Sequence, residues 1–384
     1  MNGILAGIRV IDFTQMVAGP LASMLLADLG ADVIKIEPPE GDSSRGIGLN
    51  RECGESDYFL SLNRNKRSVV LDLKSEAGGR TARQLIELAD VLVENFRPGT
   101  MERFGLGYEA LKQLNPRLIY CALSGFGQDG PYRDRPALDP VIQAMSGVMQ
   151  LTGTAASGPL KAGVLISDFV PPLYGIIGVL GALYARASTG VGQRVDVSML
   201  DATVFSMLPR EGFYFSTGQT PGRLGNAHYQ LVPWNTYATS DSRHILVVAH
   251  TEKYWRVLMQ SIGLAAFADD PRFRTNADRL AHREQLEPLL ANAFLADTLE
   301  GWSRKLEEAG VLFAPVRDFE EVFSDPVVRD GIVQHVDHPT AGSIPVLRNP
   351  IKLSGNPTSI RLAPPLLGQH TEEVLAELAA VLGK

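Results

Sequence analysis

The sequence predicts an α/β protein with a large parallel-sheet domain and a smaller α+β domain. Short apolar runs alternate with helical patterns along the first half of the chain, as in strands joined by crossover helices. These runs are continuously apolar, which is typical of strands buried on both faces. Beyond about residue 205 a Gly/Pro/Asn-rich passage precedes charged helices, and this change in composition predicts the second domain.

Each element follows from its local pattern. Residues 170–187 are apolar on nearly all sides, which predicts a central helix. The uncharged run 169–185 is short for a bilayer and contains Pro171 and Pro172, so we expect a buried helix there rather than a membrane span. The predicted strands are 8–13, 32–37, 68–73, 90–95, 117–123, 193–197 and 244–249, and the predicted helices of the large domain are 20–29, 75–89, 139–150 and 170–187.

The domain boundaries follow from the Gly/Pro-rich passages 218–233 and 338–365. We predict that residues 1–200 form the first part of the large domain and residues 225–330 the small domain. Residues 335–384 are then a linker and an amphipathic helix, starting at Thr371, that complete the large domain.

Charge and cysteine usage exclude several classes of protein. The 36 basic and 43 acidic residues give a net charge of −7, so no global basic field attracts nucleic acid or a membrane. An anionic ligand would need a local cationic pocket. Cys53 and Cys121 lie far apart without a CxxC or zinc-like spacing, which predicts free thiols and no metal. The amino terminus has no signal-peptide pattern, and we predict a cytoplasmic protein.

The turn at 14–20 follows the first strand and leads into a helix, so its backbone amides could bind an anion. It lacks the GxGxxG pattern, which argues against a dinucleotide-dependent dehydrogenase. A tight strand-to-helix connection explains its glycine and proline equally well.

Cations near the same predicted sheet edge form a second candidate site. Residues 63–67 contain three of them, and Lys74, Arg97 and Arg103 follow. Because the loops after parallel strands share one edge, these side chains could converge on phosphates. Each alone could equally be a solvated surface charge.

Two carboxylates lie in unusual surroundings. Asp139 precedes Pro140 at a predicted helix start, where an N-cap is the plainer interpretation. Asp168 lies between an apolar segment and the most hydrophobic helix, so burial would disfavour its charge. Helix amides could keep it ionised as a nucleophile, or it could simply cap the helix.

Several of these segments resemble the class III CoA-transferases, also known as the CaiB/BaiF family. The group includes formyl-CoA transferase and carnitine CoA-transferase, with α-methylacyl-CoA racemase as a related branch. The similarity runs from about residue 4 to residue 377. The matching motifs are GIRVIDFT at 7–14, AGP at 18–20, LADLGADVIKIEPP at 26–39, NKRS at 65–68, VENFRPG at 93–99, SDF at 167–169 and PLLGQHT at 365–371.

The resemblance implies a Rossmann-like large domain, completed by the C-terminal segment, and a homodimer of two interlocked rings. It implies that Asp168 is the nucleophile, which forms an aspartyl anhydride and then an aspartyl-CoA thioester. CoA is then a substrate, a small carboxylic acid is the other substrate, and no cofactor is permanently bound.

The resemblance also implies roles for other residues. Asp139 matches an acidic position beside the nucleophile. Gly222, Gly225 and Asn226 match weakly a mobile glycine loop over the intermediate. Ile47 replaces an aromatic that closes the oxalate pocket of formyl-CoA transferase, which argues against oxalate or formate as substrate. The positions that match CoA contacts are Gln15, Ala18, Leu71, Lys74, Asn95, Phe96, Arg97, Arg103 and Phe104.

Two alternatives stay open at this stage. The racemase branch uses a histidine before the acidic residue, and Leu138 stands in that place before Asp139. A paralogue that only binds CoA would be expected to lose the nucleophile, whereas Asp168 is present. The sequence therefore favours reversible transfer of CoA from an acyl-CoA to a free acid, with small dicarboxylates such as succinate as candidates.

Overall fold

The computed structural model describes residues 3–48 and 54–383. The chain divides into two compact units. The second unit consists of Gln150–Leu160 and Pro221–Pro326, and the first contains the other described residues. Residues 150–160 therefore group with the second unit, although the sequence assigned 1–200 to one domain. Cys121 is a buried free thiol, whereas Cys53 lies outside the described residues.

The strands are short and, in the first half of the chain, rich in Val and Ile, which favour buried strands. They are β1 (Arg9–Asp12), β2 (Asp32–Glu37), β3 (Lys66–Val70), β4 (Val91–Glu94), β5 (Ile119–Ser124), β6 (Gly153–Thr154), β7 (Gly158–Pro159), β8 (Arg194–Ser198), β9 (Trp234–Ala238), β10 (His244–Val248), β11 (Leu312–Pro315), β12 (Val333–His338) and β13 (Gly342–Leu347).

Most helices begin at a Ser, Thr, Asp or Gly cap. They are α1 (Ala18–Asp28), α2 (Asp57–Leu62), α3 (Glu76–Glu87), α4 (Thr100–Arg103), α5 (Tyr108–Leu114), α6 (Asp139–Ser146), α7 (Val148–Leu151), α8 (Ile166–Thr189), α9 (Met199–Phe205), α10 (Glu211–Thr217), α11 (Glu252–Ser261), α12 (Asn276–Ala281), α13 (Arg283–Phe294), α14 (Leu299–Glu308), α15 (Phe319–Ser324), α16 (Pro326–Ile332) and α17 (Thr371–Leu382).

The first unit is built on a six-stranded parallel sheet in the order β3-β2-β1-β4-β5-β8, which confirms the predicted α/β class. Its two faces bury separate apolar clusters, one under α1 and α8 and the other under α3 and α17. The strand order reverses direction between β1 and β4. In open parallel sheets, ligands bind outside the carboxyl ends of the strands at such a switch point.

Several predicted elements differ in their bounds from the structure, among them β3 and α6. The strand predicted at 68–73 is β3, which begins two residues earlier and ends at Val70. The helix predicted at 139–150 is interrupted at Gly147, whose positive φ of 95° ends α6 before α7 begins.

Helix α8 lies against β5 and β8 on a stripe of small residues. A Cβ on Gly178 would lie 2.5 Å from Cγ1 of Val195, so only glycine permits this approach. The opposite face is exposed, with Tyr184 85% accessible, so the predicted central helix is buried on one side only. By length and composition α8 is also the one described helix that could cross a membrane, a test that the core helix of a soluble protein passes as well.

The second unit contains an antiparallel sheet in the order β11-β10-β9, packed on α11, α13 and α14. Trp255, Phe294 and Trp302 fill its core. The two indole N–H groups donate to backbone carbonyl oxygens, so the buried rings leave no polar atom unsatisfied.

Replacing Gly192 by alanine should destabilise the first unit. The new Cβ would lie 2.1 Å from the carbonyl oxygen of Leu118, in the connection that feeds β8. We expect the free energy of unfolding, measured in urea, to fall by about 2 kcal/mol. Gly79→Ala on α3 is the control, because its Cβ meets no atom within 4 Å. Equal stability of the two variants would contradict the packing described for this connection.

Candidate active site

The switch point of the sheet opens into a cavity of about 460 Å³, which we call the Asp168 cleft. Its walls come from the turn after β1, the loop after β4, the segment before α6 and the first turn of α8. The lining includes Gln15, Met16, Val17, Ala18, Tyr58, Asn95, Phe96, Arg97, Arg133, Arg135, Asp139 and Asp168.

The turn after β1 is held against the loop after β4 by a reciprocal pair of hydrogen bonds. The Gln15 amide donates to Oδ1 of Asn95, and Nδ2 of Asn95 donates to the Gln15 carbonyl oxygen, both at 2.9 Å. Gly19 is required here, because a Cβ would lie 2.3 Å from Cβ of Thr14 and 2.9 Å from Cγ of Asn95 on the other loop. The glycine in this turn therefore serves close packing between the two loops.

A second cavity of about 330 Å³, the Lys74 cleft, adjoins the first and shares Gln15 and Phe96 with it. The predicted residues Leu71, Lys74 and Phe104 line it. The structure thus brings eight of the nine predicted CoA-contact residues to two adjoining clefts. Arg103 does not line either cleft and donates to Oγ1 of Thr100 at 2.9 Å.

The predicted phosphate-binding role of residues 63–67 was wrong. These residues lie at the amino end of β3, away from the edge where ligands bind. Their cations are engaged in internal ion pairs: Arg64 with Asp28 at 2.6 Å and Lys66 with Asp12 at 3.1 Å. Arg67 pairs with acidic side chains of β2 and α17.

Asp139 caps a helix, but not the predicted one. It is the first residue of α6, and its Oδ1 accepts a 2.9 Å hydrogen bond from the amide of Ser167 in α8. Its Oδ2 accepts from Nε2 of Gln143 at 2.8 Å. The buried Asp139 carboxylate therefore satisfies an otherwise unpaired amide at the start of the helix that carries Asp168.

Asp168 is half-buried in the first turn of α8 and lines the cleft. Among the described residues, no donor contacts its carboxylate, so Asp168 neither accepts from helix amides nor caps α8. Burial, and to a lesser extent the negative charge of Asp139, together raise the pKa of Asp168 to about 6. Such a carboxylate is more basic and therefore a better nucleophile than an ordinary aspartate, yet it is ionised at neutral pH.

Among the polar residues of the Asp168 cleft, sequence reasoning missed Tyr58, Ser124, Arg133 and Arg135. Burial and the charges of Asp168 and Asp139 raise the pKa of Tyr58, which lies on α2 behind the N-cap Ser56. Arg133 and Arg135 add two exposed guanidinium groups. The capping residue Ser56 could have indicated helix α2, but no local sequence pattern places Tyr58 of that helix beside Asp168.

The predicted glycine loop lies in the second unit. The Gly225 amide donates to the carbonyl oxygen of Gly153 at 2.8 Å, and Nδ2 of Asn226 donates to Oγ1 of Thr236 at 2.7 Å. A Cβ on Gly222 would meet no atom within 4 Å. The covering role of this loop stays a prediction.

Comparisons with known proteins place the chain in a family. The profile of CoA-transferase family III matches residues 5–371. Succinate–glutarate CoA-transferase of Agrobacterium fabrum is 38% identical over 98% of this chain and 96% of its own. Human succinyl-CoA:glutarate CoA-transferase is 35% identical, over 98% of this chain and 87% of its own.

A crystal structure of a CaiB/BaiF family protein from Brucella suis has the same fold, with a TM-score of 0.90 and 36% identity. The match covers 98% of this chain and all of that one. The chain belongs to CoA-transferase family III, and it is an enzyme of that class. The family resemblance drawn from the sequence motifs is therefore confirmed.

Asp139→Asn should lower the pKa of Asp168. The substitution removes the negative charge next to Asp168 and keeps an oxygen that can accept from the Ser167 amide. Nuclear magnetic resonance of carboxyl-labelled aspartate measures this directly, with the signal assigned by its loss in Asp168→Asn. Asp129→Asn, at an exposed acid that pairs with Arg194, is the control. An unchanged titration in Asp139→Asn would show that the two carboxylates do not interact.

Proposed function

We propose that Asp168 is the nucleophile of a reversible CoA transfer. A carboxylate oxygen of Asp168 attacks the carbonyl carbon of the acyl-CoA, the C–S bond breaks, and an anhydride and CoA thiolate form. The thiolate attacks the aspartyl carbonyl, which releases the donor acid and leaves an aspartyl-CoA thioester. The acceptor carboxylate then displaces the thiolate to form a second anhydride. The thiolate then attacks the carbonyl carbon that came from the acceptor acid, which gives the new acyl-CoA and restores the Asp168 carboxylate.

The environment of Asp168 carries this proposal. A nucleophile must be ionised and must not be held by strong hydrogen-bond donors. With a pKa of about 6, Asp168 is ionised at neutral pH, and no donor among the described residues contacts its carboxylate. The anhydride and the thioester would hydrolyse in contact with water, so the proposal requires that bound substrates displace water from the cleft.

We assign the two adjoining clefts to the CoA thioester. The Asp168 cleft would hold the reacting carbonyl, and the Lys74 cleft would hold a more distant part of CoA. Lys74 is an exposed cation at the second cleft, and Arg97 is one at the first. Their charges suit the CoA phosphates, while Phe96 and Phe104 offer apolar faces.

The acids exchanged are proposed to be small dicarboxylates. Relatives are named for succinate with glutarate, for mesaconate and for D-citramalate. In this chain, Arg133 and Arg135 place two further positive charges at the Asp168 cleft besides Arg97. One carboxylate of a diacid reacts at Asp168, and a guanidinium group can neutralise the other.

We also propose a cytoplasmic homodimer of interlocked rings with no permanently bound cofactor. The exposed apolar face of α8 to α10 supports association, because large apolar side chains are rarely left in water over a continuous surface. Phe169, Tyr184 and Phe215 are 54%, 85% and 79% accessible in the single chain.

Asp168→Asn should abolish exchange. The amide cannot form the anhydride, so we expect turnover to fall by about 10⁴-fold or more. CoA affinity, measured by calorimetry, should stay near that of the parent protein. The assay uses the acyl-CoA and acid pair found by screening dicarboxylates by mass spectrometry.

Borohydride trapping tests the same assignment in the parent enzyme. After incubation with acyl-CoA, reduction of an aspartyl-CoA thioester should convert the Asp168 side chain to an alcohol, and peptide mass spectrometry locates the change. Modification at another carboxylate, or retained exchange in Asp168→Asn, would exclude Asp168 as the nucleophile.

Lys74→Ala and Arg97→Ala should weaken binding of the CoA thioester. Loss of one charge-assisted contact to a phosphate predicts a KM about tenfold higher, with a smaller effect on kcat. Arg80→Ala is the control, because Arg80 is an exposed cation on α3 that pairs with Glu76 outside both clefts. A fall in kcat at unchanged KM would contradict the proposed role.

A further inference from the structure

A buried cluster of six charged side chains lies beneath the turn after β1. We call it the buried charge cluster, and it contains three cations and three carboxylates, with Glu55 at its edge 3.8 Å from Arg45. Lys35, Lys66 and Asp42 have no accessible side-chain surface, and the cluster links the ends of β1 and β2 to the start of β3. Its members are Asp12, Lys35, Glu37, Asp42, Arg45 and Lys66.

Lys35 is the member that reaches the turn. Its Nζ donates to the carbonyl oxygen of Thr14 at 2.7 Å and pairs with Oδ2 of Asp42 at 2.8 Å. Burial alone would lower the pKa of Lys35, but the carboxylates around it outweigh that effect and raise it. The ammonium group is therefore charged and directed at a backbone oxygen of the turn.

Asp42 holds the next part of the same turn. Its Oδ1 accepts from the Met16 amide at 3.2 Å and from the Ser44 amide at 2.9 Å. Lys35 and Asp42 thus form a continuous bridge from the Thr14 carbonyl through an ion pair to the Met16 amide. The bridge spans Gln15, which faces both clefts.

The turn needs such support because of its backbone conformation. Met16 has a φ of 68°, in the left-handed backbone region that residues other than glycine rarely adopt. Residues that keep such a conformation require surroundings that fix it. Four consecutive residues of this turn, Gln15 to Ala18, line the Asp168 cleft, so its shape decides the shape of that wall.

We propose that Lys35 is a positioning residue for binding of the CoA thioester, acting through the Thr14 carbonyl oxygen and Asp42 to fix the turn that lines both clefts. The inference rests on the proposed assignment of the two clefts to CoA. It adds a role for a side chain that has no access to the ligand itself.

A single substitution would not test the proposal cleanly. Lys35→Met would leave the carboxylates Asp12, Glu37 and Asp42 against only two buried cations, and an unbalanced buried charge is strongly destabilising. The double variant Lys35→Met/Asp42→Asn removes one charge of each sign. The asparagine side chain keeps an oxygen for the Met16 and Ser44 amides, so the change is directed at the Lys35 ammonium group.

A matched control is available in the same unit. Arg64 and Asp28 form a buried ion pair at 2.6 Å that lines neither cleft. Arg64→Met/Asp28→Asn therefore removes an equivalent buried pair without contact to the turn. Both double variants are compared with the parent full-length protein for urea unfolding, CoA affinity by calorimetry, steady-state exchange and amide hydrogen exchange of residues 14–18.

For the Lys35→Met/Asp42→Asn variant, we expect a folded protein whose dissociation constant for CoA is about tenfold higher. The KM for acyl-CoA should rise more than kcat falls, and the amides of the turn should exchange faster than in the parent. The control variant should keep the CoA affinity and turn protection of the parent, whatever its stability.

The opposite results identify which assumption fails. A folded Lys35→Met/Asp42→Asn variant with the CoA affinity of the parent would overturn the positioning role. Equal loss of affinity in the control would do the same, because the effect would then be general. A parent protein that does not bind CoA would instead refute the proposed assignment of the clefts.

Discussion

The hydrogen bond from the Ser167 amide to the Asp139 carboxylate joins the two helices on which the candidate active site depends. It satisfies an amide at the start of α8 with a buried charge that belongs to α6, and so fixes the first turn of α8 at the cleft. Asp168 is left beside a second carboxylate, partly buried and without a donor among the described residues. Its raised pKa follows from this arrangement.

The sheet and the buried charge cluster support this site from below. The carboxyl ends of β1 and β4 carry the two loops that Asn95 joins, and the ammonium group of Lys35 reaches the first of them from β2. Charges this deeply buried are tolerated only when they are balanced and hydrogen-bonded, and Asp12 shows the effect, with neighbouring lysines holding its pKa at about 2 against the cost of burial. The left-handed backbone of Met16 and the deeply buried charges thus lie next to each other, directly beneath the surface that we assign to the CoA thioester.

The sequence allowed the fold class and most strands to be predicted, because buried parallel strands appear as continuous apolar runs whatever their neighbours. It also placed Gln15, Asn95 and Lys74 near one edge, since that edge follows from topology. The cations of residues 63–67 were misassigned because the start of β3 at Lys66 has no turn signal to mark it. Tyr58, Arg133 and the capping partner of Asp139 could not be predicted, because each depends on contacts between segments far apart in the chain.

The central claim is that the Asp168 carboxylate takes part covalently in every turnover. Transfer through two anhydrides requires that one oxygen of the acceptor acid end up on Asp168, and that an oxygen of Asp168 leave with the donor acid. Turnover with an acceptor carrying ¹⁸O in its carboxylate, followed by mass spectrometry of the peptide that contains Asp168, measures this directly. The account predicts ¹⁸O in that side chain after a few turnovers. Complete CoA transfer with an unlabelled Asp168 would contradict it.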